Sequence, residues 1–278
     1  MKKKINEQAN NILRHTVLLI ISMFFMLPFY IMVSTSFKTQ AECFVYPIKW
    51  LPENLNFAAY QDVFKIIPFG RYFINTVYIT AANVLGVVLT CPLAAYSLAR
   101  LRWKGREFLF FLTIAVMMIP YQVIMIPIFI LFSRMGVIGT YWPLIIPQYF
   151  GIPFFIFLLR QFFKGLPKEL EDAARIDGCS EFSIFSKIFL PLCKPAILTI
   201  AIFQLLNTWN DFTGPLIYLT KSKMYTLQIG LQQFKSVHVT NWPPMMAASV
   251  LISLPIIILF FIAQKQFIEG VTFTGVKG

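Results

Sequence analysis

Apolar residues fill this chain in long unbroken runs. They show neither the alternation of a half-buried strand nor the single stripe of a surface helix. An α-helix rises about 1.5 Å per residue and the hydrocarbon layer of a bilayer is about 30 Å thick, so a crossing helix needs about 20 apolar residues. Six runs meet that length: 16–37, 72–98, 108–132, 141–159, 195–219 and 244–267. The pattern predicts an all-α integral membrane protein, one transmembrane domain over residues 1–278 with six transmembrane helices. It changes character once, in the loop 165–192, where charged residues return between the fourth and fifth runs.

That loop reads as two short water-compatible helices hinged at a glycine. Pro167 suits a first helical turn, where a missing N–H costs little, and Gly178 suits the left-handed residue just beyond a helix end. Between them Leu170, Ala173, Ala174 and Asp177 follow helical spacing and build one face from a leucine and two small residues. Ser180 caps a second helix whose apolar face is Phe182, Phe185, Ile188 and Phe189, ended by Pro191 and Pro195. Two readings stand side by side. The pair is either an amphipathic connector lying on lipid headgroups, or an elbow that offers one arm to a partner. The acidic first arm, with Glu169, Glu171 and Asp172, suits a protein groove better than an anionic membrane.

Composition sharpens the class. With 58% apolar and 13% charged residues and a mean hydropathy of +0.69, the chain falls far below the quarter of charged residues usual in soluble domains. The net charge of +12 is scattered among apolar runs with no basic, aromatic-laced stripe, which excludes nucleic acid as a partner. Sixteen of the 24 Lys and Arg residues fall on one side of the six runs, the side holding both termini and "ARLRWKGRE" (99–107). Basic residues collect in the cytoplasm, so both termini are expected there. The first run is too long for a cleaved signal and no small-residue cleavage site follows it, so it reads as a retained span.

Prolines 28, 92, 120, 127, 147, 153 and 255 interrupt the runs; each is either a kink in a pathway-forming bundle or an ordinary membrane-helix proline. Cys43, Cys91, Cys179 and Cys193 are dispersed, which suits small apolar fillers rather than a zinc site or a disulfide framework. The chain has no Gly-Lys dipeptide for a phosphate-binding loop, and only His15 and His238, in no metalloprotease pattern. No catalytic, cofactor-binding or metal-ligating set is expected, so the chain reads as no enzyme.

Within the fifth run, Trp209, Asn210 and Asp211 stand out as translocation-pathway candidates. A carboxylate at a helix centre costs about 2.5–3.5 kcal/mol on insertion scales and usually faces a cavity or a neighbouring helix. Trp209 offers an aromatic face and Asn210 both a donor and an acceptor. Equally, Asn210 and Asp211 serve as caps for a break at "NDFTGP" (210–215). Gln228, Gln232 and Gln233 lie in the outer loop, either as polar contacts or in a solvated linker.

The run "DAARIDGCSEFSIFSKIFLP" (172–191) resembles the coupling-loop signature of ABC importer permeases: Glu-Ala-Ala, three residues, Gly, nine residues, Ile, one residue, Leu-Pro. Ala173, Ala174, Gly178, Ile188, Leu190 and Pro191 fall on it, with Asp172 where the pattern has glutamate. "AAYSLARLRWKGR" (94–106), "WNDF" (209–212), "YTLQIGLQQF" (225–234) and "TFTGVKG" (272–278) resemble the six-span, maltose-type carbohydrate-uptake branch. The resemblance implies the type I importer permease fold in a bacterial cytoplasmic membrane. It implies that Asp172, Ala173, Ala174 and Gly178 dock into a cleft on a cytoplasmic ATPase, with Glu171 and Asp177 beside them completing the ATPase-coupling set. It also implies the partners: a second, homologous permease, two ATPase subunits holding ATP and magnesium, an extracytoplasmic solute-binding protein facing Gln228, Gln232 and Gln233, and membrane lipid. Without the coupling loop, a free-standing secondary transporter or channel would be the competing function.

Overall fold

The structure is a computed structural model that describes the backbone of residues 2–235 and 240–275 and the side chains of 10–235 and 240–264. The described residues are helical, apart from loops and one isolated antiparallel bridge between Lys235 and Thr240. In chain order the α-helices are α1 (Lys2–Ser36), α2 (Ala58–Ile66), α3 (Phe69–Ala99), α4 (Arg106–Val116), α5 (Tyr121–Arg134), α6 (Trp142–Ile145) and α7 (Pro153–Gly165). They continue as α8 (Glu169–Ile176), α9 (Glu181–Ile184), α10 (Leu190–Leu192), α11 (Lys194–Trp209), α12 (Thr213–Tyr218), α13 (Leu227–Gln232) and α14 (Trp242–Gly275). The last residues of the tail, and His238, lie outside the described residues.

Four described stretches are long and apolar enough to cross a membrane: Asn10–Ser36, Phe69–Ala99, Trp142–Gly165 and Trp242–Gln264. The number rises to six if each of two bent pairs is one span. The first pair, α4 and α5, turns by 100° where the sequence suggests one run over 108–132. Pro120 explains the break: it has no N–H to continue the ladder, and it sits in extended conformation immediately before α5. Met117, Met118 and Ile119 close the end of α4 with tighter bonds to Ile114, Ala115 and Val116. The second pair, residues 181–192 and 194–209, turns by 76°. Pro28, Pro92, Pro127 and Pro255 lie inside helices, whereas Pro120, Pro147 and Pro153 stand at breaks or first turns.

The chain divides into two compact units, Met1–Phe69 with Leu231–Pro255, and Gly70–Gly230 with Ile256–Gly278. In the first unit the stretch of α1 from residue 16 to 28 is apolar and exposed, as in Leu18 and Phe24, which suits a helix bathed in lipid. Its end is tied down by the following loop: Tyr30 donates to the Trp50 carbonyl at 3.1 Å, and the Ser36 and Tyr60 hydroxyls pair at 2.9 Å. Gln40 donates to the Thr240 carbonyl at 2.8 Å and accepts from the Trp242 N–H at 3.0 Å, which seats the start of α14.

The second unit holds the main core. Val87, Cys91, Ala95 and Tyr96 of α3 pack with Phe155, Leu159 and Phe163 of α7 and with Ile200 of α11. Small residues on α3 let the helices approach closely, as helix packing in lipid requires. A second cluster gathers Ile79, Phe132, Leu144, Ile145, Tyr218 and Leu219.

Candidate functional site

Helix α8 is short, acidic at its start and sharply terminated. Lys168 occupies its cap position and its carbonyl accepts from the N–H groups of Glu171 and Asp172, each at 3.0 Å. Pro167 therefore lies ahead of the helix and not in its first turn. Glu169, Glu171 and Asp172 complement the positive helix N-terminus. At the other end Gly178 takes φ +76°, its N–H donates to Arg175 at 3.1 Å, and that of Cys179 to Ala174 at 3.0 Å. This left-handed closure needs glycine, since nothing lies within 4 Å of a Cβ there and the demand is conformational alone. Ser180 then caps α9 by accepting from the Ser183 N–H at 3.2 Å.

The two faces of α8 differ from the helical spacing alone. Glu171 and Ala174 turn inward and are buried, while Leu170, Asp172, Ala173, Ile176 and Asp177 face outward. Ile176 is 87% exposed, an apolar side chain held out by a capped helix. In the second arm the inward residues are Ile184, Phe185 and Phe189, and Phe182 is 70% exposed. A π-helical turn over Phe185–Phe189 inserts an extra residue and shifts the register, which a 3.6 period cannot anticipate. Pro191 and Pro195 do not end the arm. Each sits in the first turn of a following segment, α10 and α11, and the chain bends between them at Cys193.

A buried arginine fastens the elbow from behind. Arg100, one residue past α3, is 7% exposed; its guanidinium donates to the Phe163 and Leu166 carbonyls at the end of α7 and lies 4.9 Å above the Phe189 ring. It also stands 3.6 Å from the carboxylate of Glu171, which is itself 5% exposed. Arg175 pairs with the same carboxylate and with Glu181 at 2.8 Å. The Glu181 hydrogen bond and the Glu171 charge push the Arg175 guanidinium above its already high ordinary value. Beside it Arg160 donates to the Leu98 carbonyl at 3.0 Å, to both Glu107 oxygens at 2.8–2.9 Å, and covers the Phe110 ring at 3.5 Å. Glu171 thus anchors α8, while Asp172 and Ala173 stay on its outer surface. Nothing in the sequence separated Arg100 from Arg102 two residues later; both read as cytoplasmic charge.

The fifth-run candidates serve the helix break. Trp209 is buried, its indole roughly perpendicular to the Phe73 ring with centroids 6.0 Å apart, so little of it is open to a solute. Asn210 donates back to the Leu206 carbonyl at 2.9 Å, and Asp211 accepts from the Gly214 N–H at 3.0 Å, joining α11 to α12. Gln228 donates to the Trp209 carbonyl at 3.3 Å and braces the same break. Gln232 and Gln233 are exposed. We expect Asp211→Asn to keep stability near wild type, because an amide oxygen still accepts from Gly214, and Asp211→Ala to cost about 1 kcal/mol; melting of the two variants separates a capping role from a charge role. Sequence reasoning missed a polar line inside the bundle. Gln204 donates to Gln148 at 3.3 Å and to Thr208 at 3.0 Å, and Asn83 donates to Thr208 at 3.2 Å. Part of its signal was there: Gln204 and Thr208 stand at i and i+4 in one apolar run, and Gln148 interrupts another.

Residues 82–272 match the family described as binding-protein-dependent transport system inner membrane component. The chain belongs to that family. The permease is 42% identical over 210 residues to the arabinooligosaccharides transport system permease protein AraQ of Halalkalibacterium halodurans, covering 76% of this chain and 75% of that one. It is 35% identical to AraQ of Bacillus subtilis, covering 94% and 93%. It is 33% identical to the sulfoquinovosyl glycerol transport system permease protein SmoH of Agrobacterium fabrum, covering 88% and 86%. Among solved structures, a bacterial ABC transporter involved in import of the acidic polysaccharide alginate shares the fold, with a TM-score of 0.79 at 24% identity over 94% of this chain and 97% of that one. The permease is a membrane transport component, and its family members are not enzymes.

The permease also carries an aromatic hollow of about 540 Å³, walled by Tyr78, Tyr141, Trp142, Tyr149 and Phe150. Tyr149 lies against Gly86 of α3, where a Cβ would come within 2.8 Å of the ring. Gly86→Ala is expected to force Tyr149 aside and cost about 1–3 kcal/mol, the usual penalty of overpacking. Thermal melting of the purified permease, with Gly70→Ala in open space as control, measures it.

Proposed function

We propose that this permease forms half of the translocation pathway of an importer for a sugar or sugar-like solute, driven by ATP hydrolysed on partner subunits. The working assembly is two permeases, two ATPases and one extracytoplasmic solute-binding protein, with both termini of this chain in the cytoplasm. The observation that carries the reading is α8: a capped, rigid helix, anchored through buried Glu171, that offers Leu170, Ala173 and Ile176 flanked by Asp172 and Asp177. Exposed apolar residues on a braced helix fit a protein cleft. The names of the relatives support a carbohydrate cargo. The aromatic hollow agrees, because polarised sugar C–H groups stack on the negative faces of aromatic rings. The buried Asn83 carbonyl oxygen and Thr80 hydroxyl lack a partner within the described chain, as polar groups along a wet path do.

The test is uptake of labelled arabino-oligosaccharide into proteoliposomes holding the permease with its sister chain and ATPases, with binding protein and ATP supplied. Uptake that needs ATP and ignores ionophores is expected. Uptake without ATP that collapses with an ion gradient overturns the reading in favour of a secondary transporter. Tyr141→Ala is expected to raise the half-saturating solute concentration about tenfold, the scale of one lost aromatic contact.

A further inference from the structure

A second hollow, of about 760 Å³, opens between the end of α3, the start of α4, the end of α7 and the side of α8 that carries Glu171, Asp172 and Arg175. Its walls carry Arg100, Arg102, Arg106, Lys164, Lys168 and Arg175 against three carboxylates, Glu107, Glu171 and Asp172, a surplus of three positive charges. The carboxylates are already engaged. Glu107 is held by Arg106 and Arg160, Glu171 by Arg100 and Arg175, and Asp172 lies 3.9 Å from Arg175. Arg102, Lys164 and Lys168 enter no ion pair among the described residues. Three cations facing one half-open space repel each other unless an anion joins them.

The apolar surroundings say what kind of anion. Trp103 and Phe108 line the rim. From Phe108 the exposed residues Leu109, Phe111 and Leu112 run along α4, half of a bent helix pair that together is long and apolar enough to cross a membrane. Tryptophan favours the headgroup level of a bilayer, and basic hollows between transmembrane helices receive anionic headgroups. We propose that this hollow binds the phosphate headgroup of an anionic phospholipid through Arg102, Lys164 and Lys168, with the acyl chains lying along α4. The lipid then fills the space behind α8 and touches the network that anchors it. The inference needs only the membrane placement of the chain, not the cargo or the ATPase reading.

The experiment is native mass spectrometry of the full chain, purified with its accompanying subunits, titrated with phosphatidylglycerol and phosphatidylcholine in equal amounts. Phosphatidylglycerol is expected to be retained at least tenfold better. Each neutralised cation weakens it about fivefold, so Arg102→Gln with Lys164→Gln and Lys168→Gln weakens it on the order of 100-fold. Lys164→Gln alone, which removes one exposed charge, gives the single step even where the triple variant fails to assemble. An excess of inorganic phosphate is expected to leave the lipid bound. Equal retention of the two lipids, undiminished retention in the variants, or displacement by phosphate each overturns the proposal, the last by identifying a small-anion site. Retention only in preparations stripped of the ATPase also overturns it, assigning the hollow to protein docking.

Discussion

Ala173→Arg is expected to abolish solute uptake, at least 50-fold, while the permease remains folded and inserted. Ala173 lies exposed on the outer face of α8 between Leu170 and Ile176. Arginine is a good helix former, so α8 itself loses little. What changes is the surface offered: a small residue that lets a partner's groove close on the helix becomes a long cation that holds it off. Desolvating that charge without a partner costs several kcal/mol, enough to empty the interface. ATP hydrolysis by the ATPases is expected to continue at its unstimulated rate, so uptake and phosphate release separate. Gly178→Ala is the graded companion. A Cβ there meets open space, so the variant pays only the left-handed backbone penalty of about 1–2 kcal/mol and tests the exit angle of α8 alone. Uptake by Ala173→Arg at the wild-type rate in proteoliposomes, with ATP present, would remove the coupling role of this helix.

The apolar runs were legible because a bilayer imposes length on any crossing helix. Residues 72–98 and 244–267 lie within continuous helices for that reason, and 16–37 does so up to Ser36. The run at 108–132 was legible as apolar but not as broken. A window average passes over Pro120, whereas the backbone cannot, and it turns through 100° there. The elbow was legible from punctuation: Gly178 and Ser180 occupy the positions that their backbone and side-chain chemistry suit. The sidedness of α8 was not. Helical spacing places Ala173 and Ala174 together, and it takes partners far off in the sequence, Arg100 for Glu171 and the buried core for Ala174, to turn those two inward. Trp209, Asn210 and Asp211 were visible as unusual residues in a span. Their work at the α11–α12 break depends on Gly214 and Leu206, local partners that the sequence offered as one of two readings. The aromatic hollow and the basic hollow draw on three or four separate helices each, and no single stretch of sequence announces either.

Arg100→Ala is expected to destabilise the permease by about 3–5 kcal/mol, the cost of breaking a buried ion pair by removing one partner. Three losses combine. Glu171, 5% exposed, keeps only its pair with Arg175, whose own side chain is 41% exposed. The carbonyls of Phe163 and Leu166 at the end of α7 lose their donor, and the Phe189 ring loses the cation above it. Lysine restores the charge but not the fork that reaches two carbonyls and a carboxylate together, so Arg100→Lys is expected to recover less than half of the loss. Removing both charges separates the contributions. Arg100→Met with Glu171→Leu leaves no unpaired buried charge, so its remaining cost falls to about 1–3 kcal/mol for the two carbonyls. Melting of wild type, Arg100→Met, Glu171→Leu and the double variant in one detergent gives the coupling between Arg100 and Glu171 as a double-mutant cycle. A cycle energy near zero would mean that the 3.6 Å approach does not hold α8 in place, and that the helix is positioned by Ala174 and the α9 core instead.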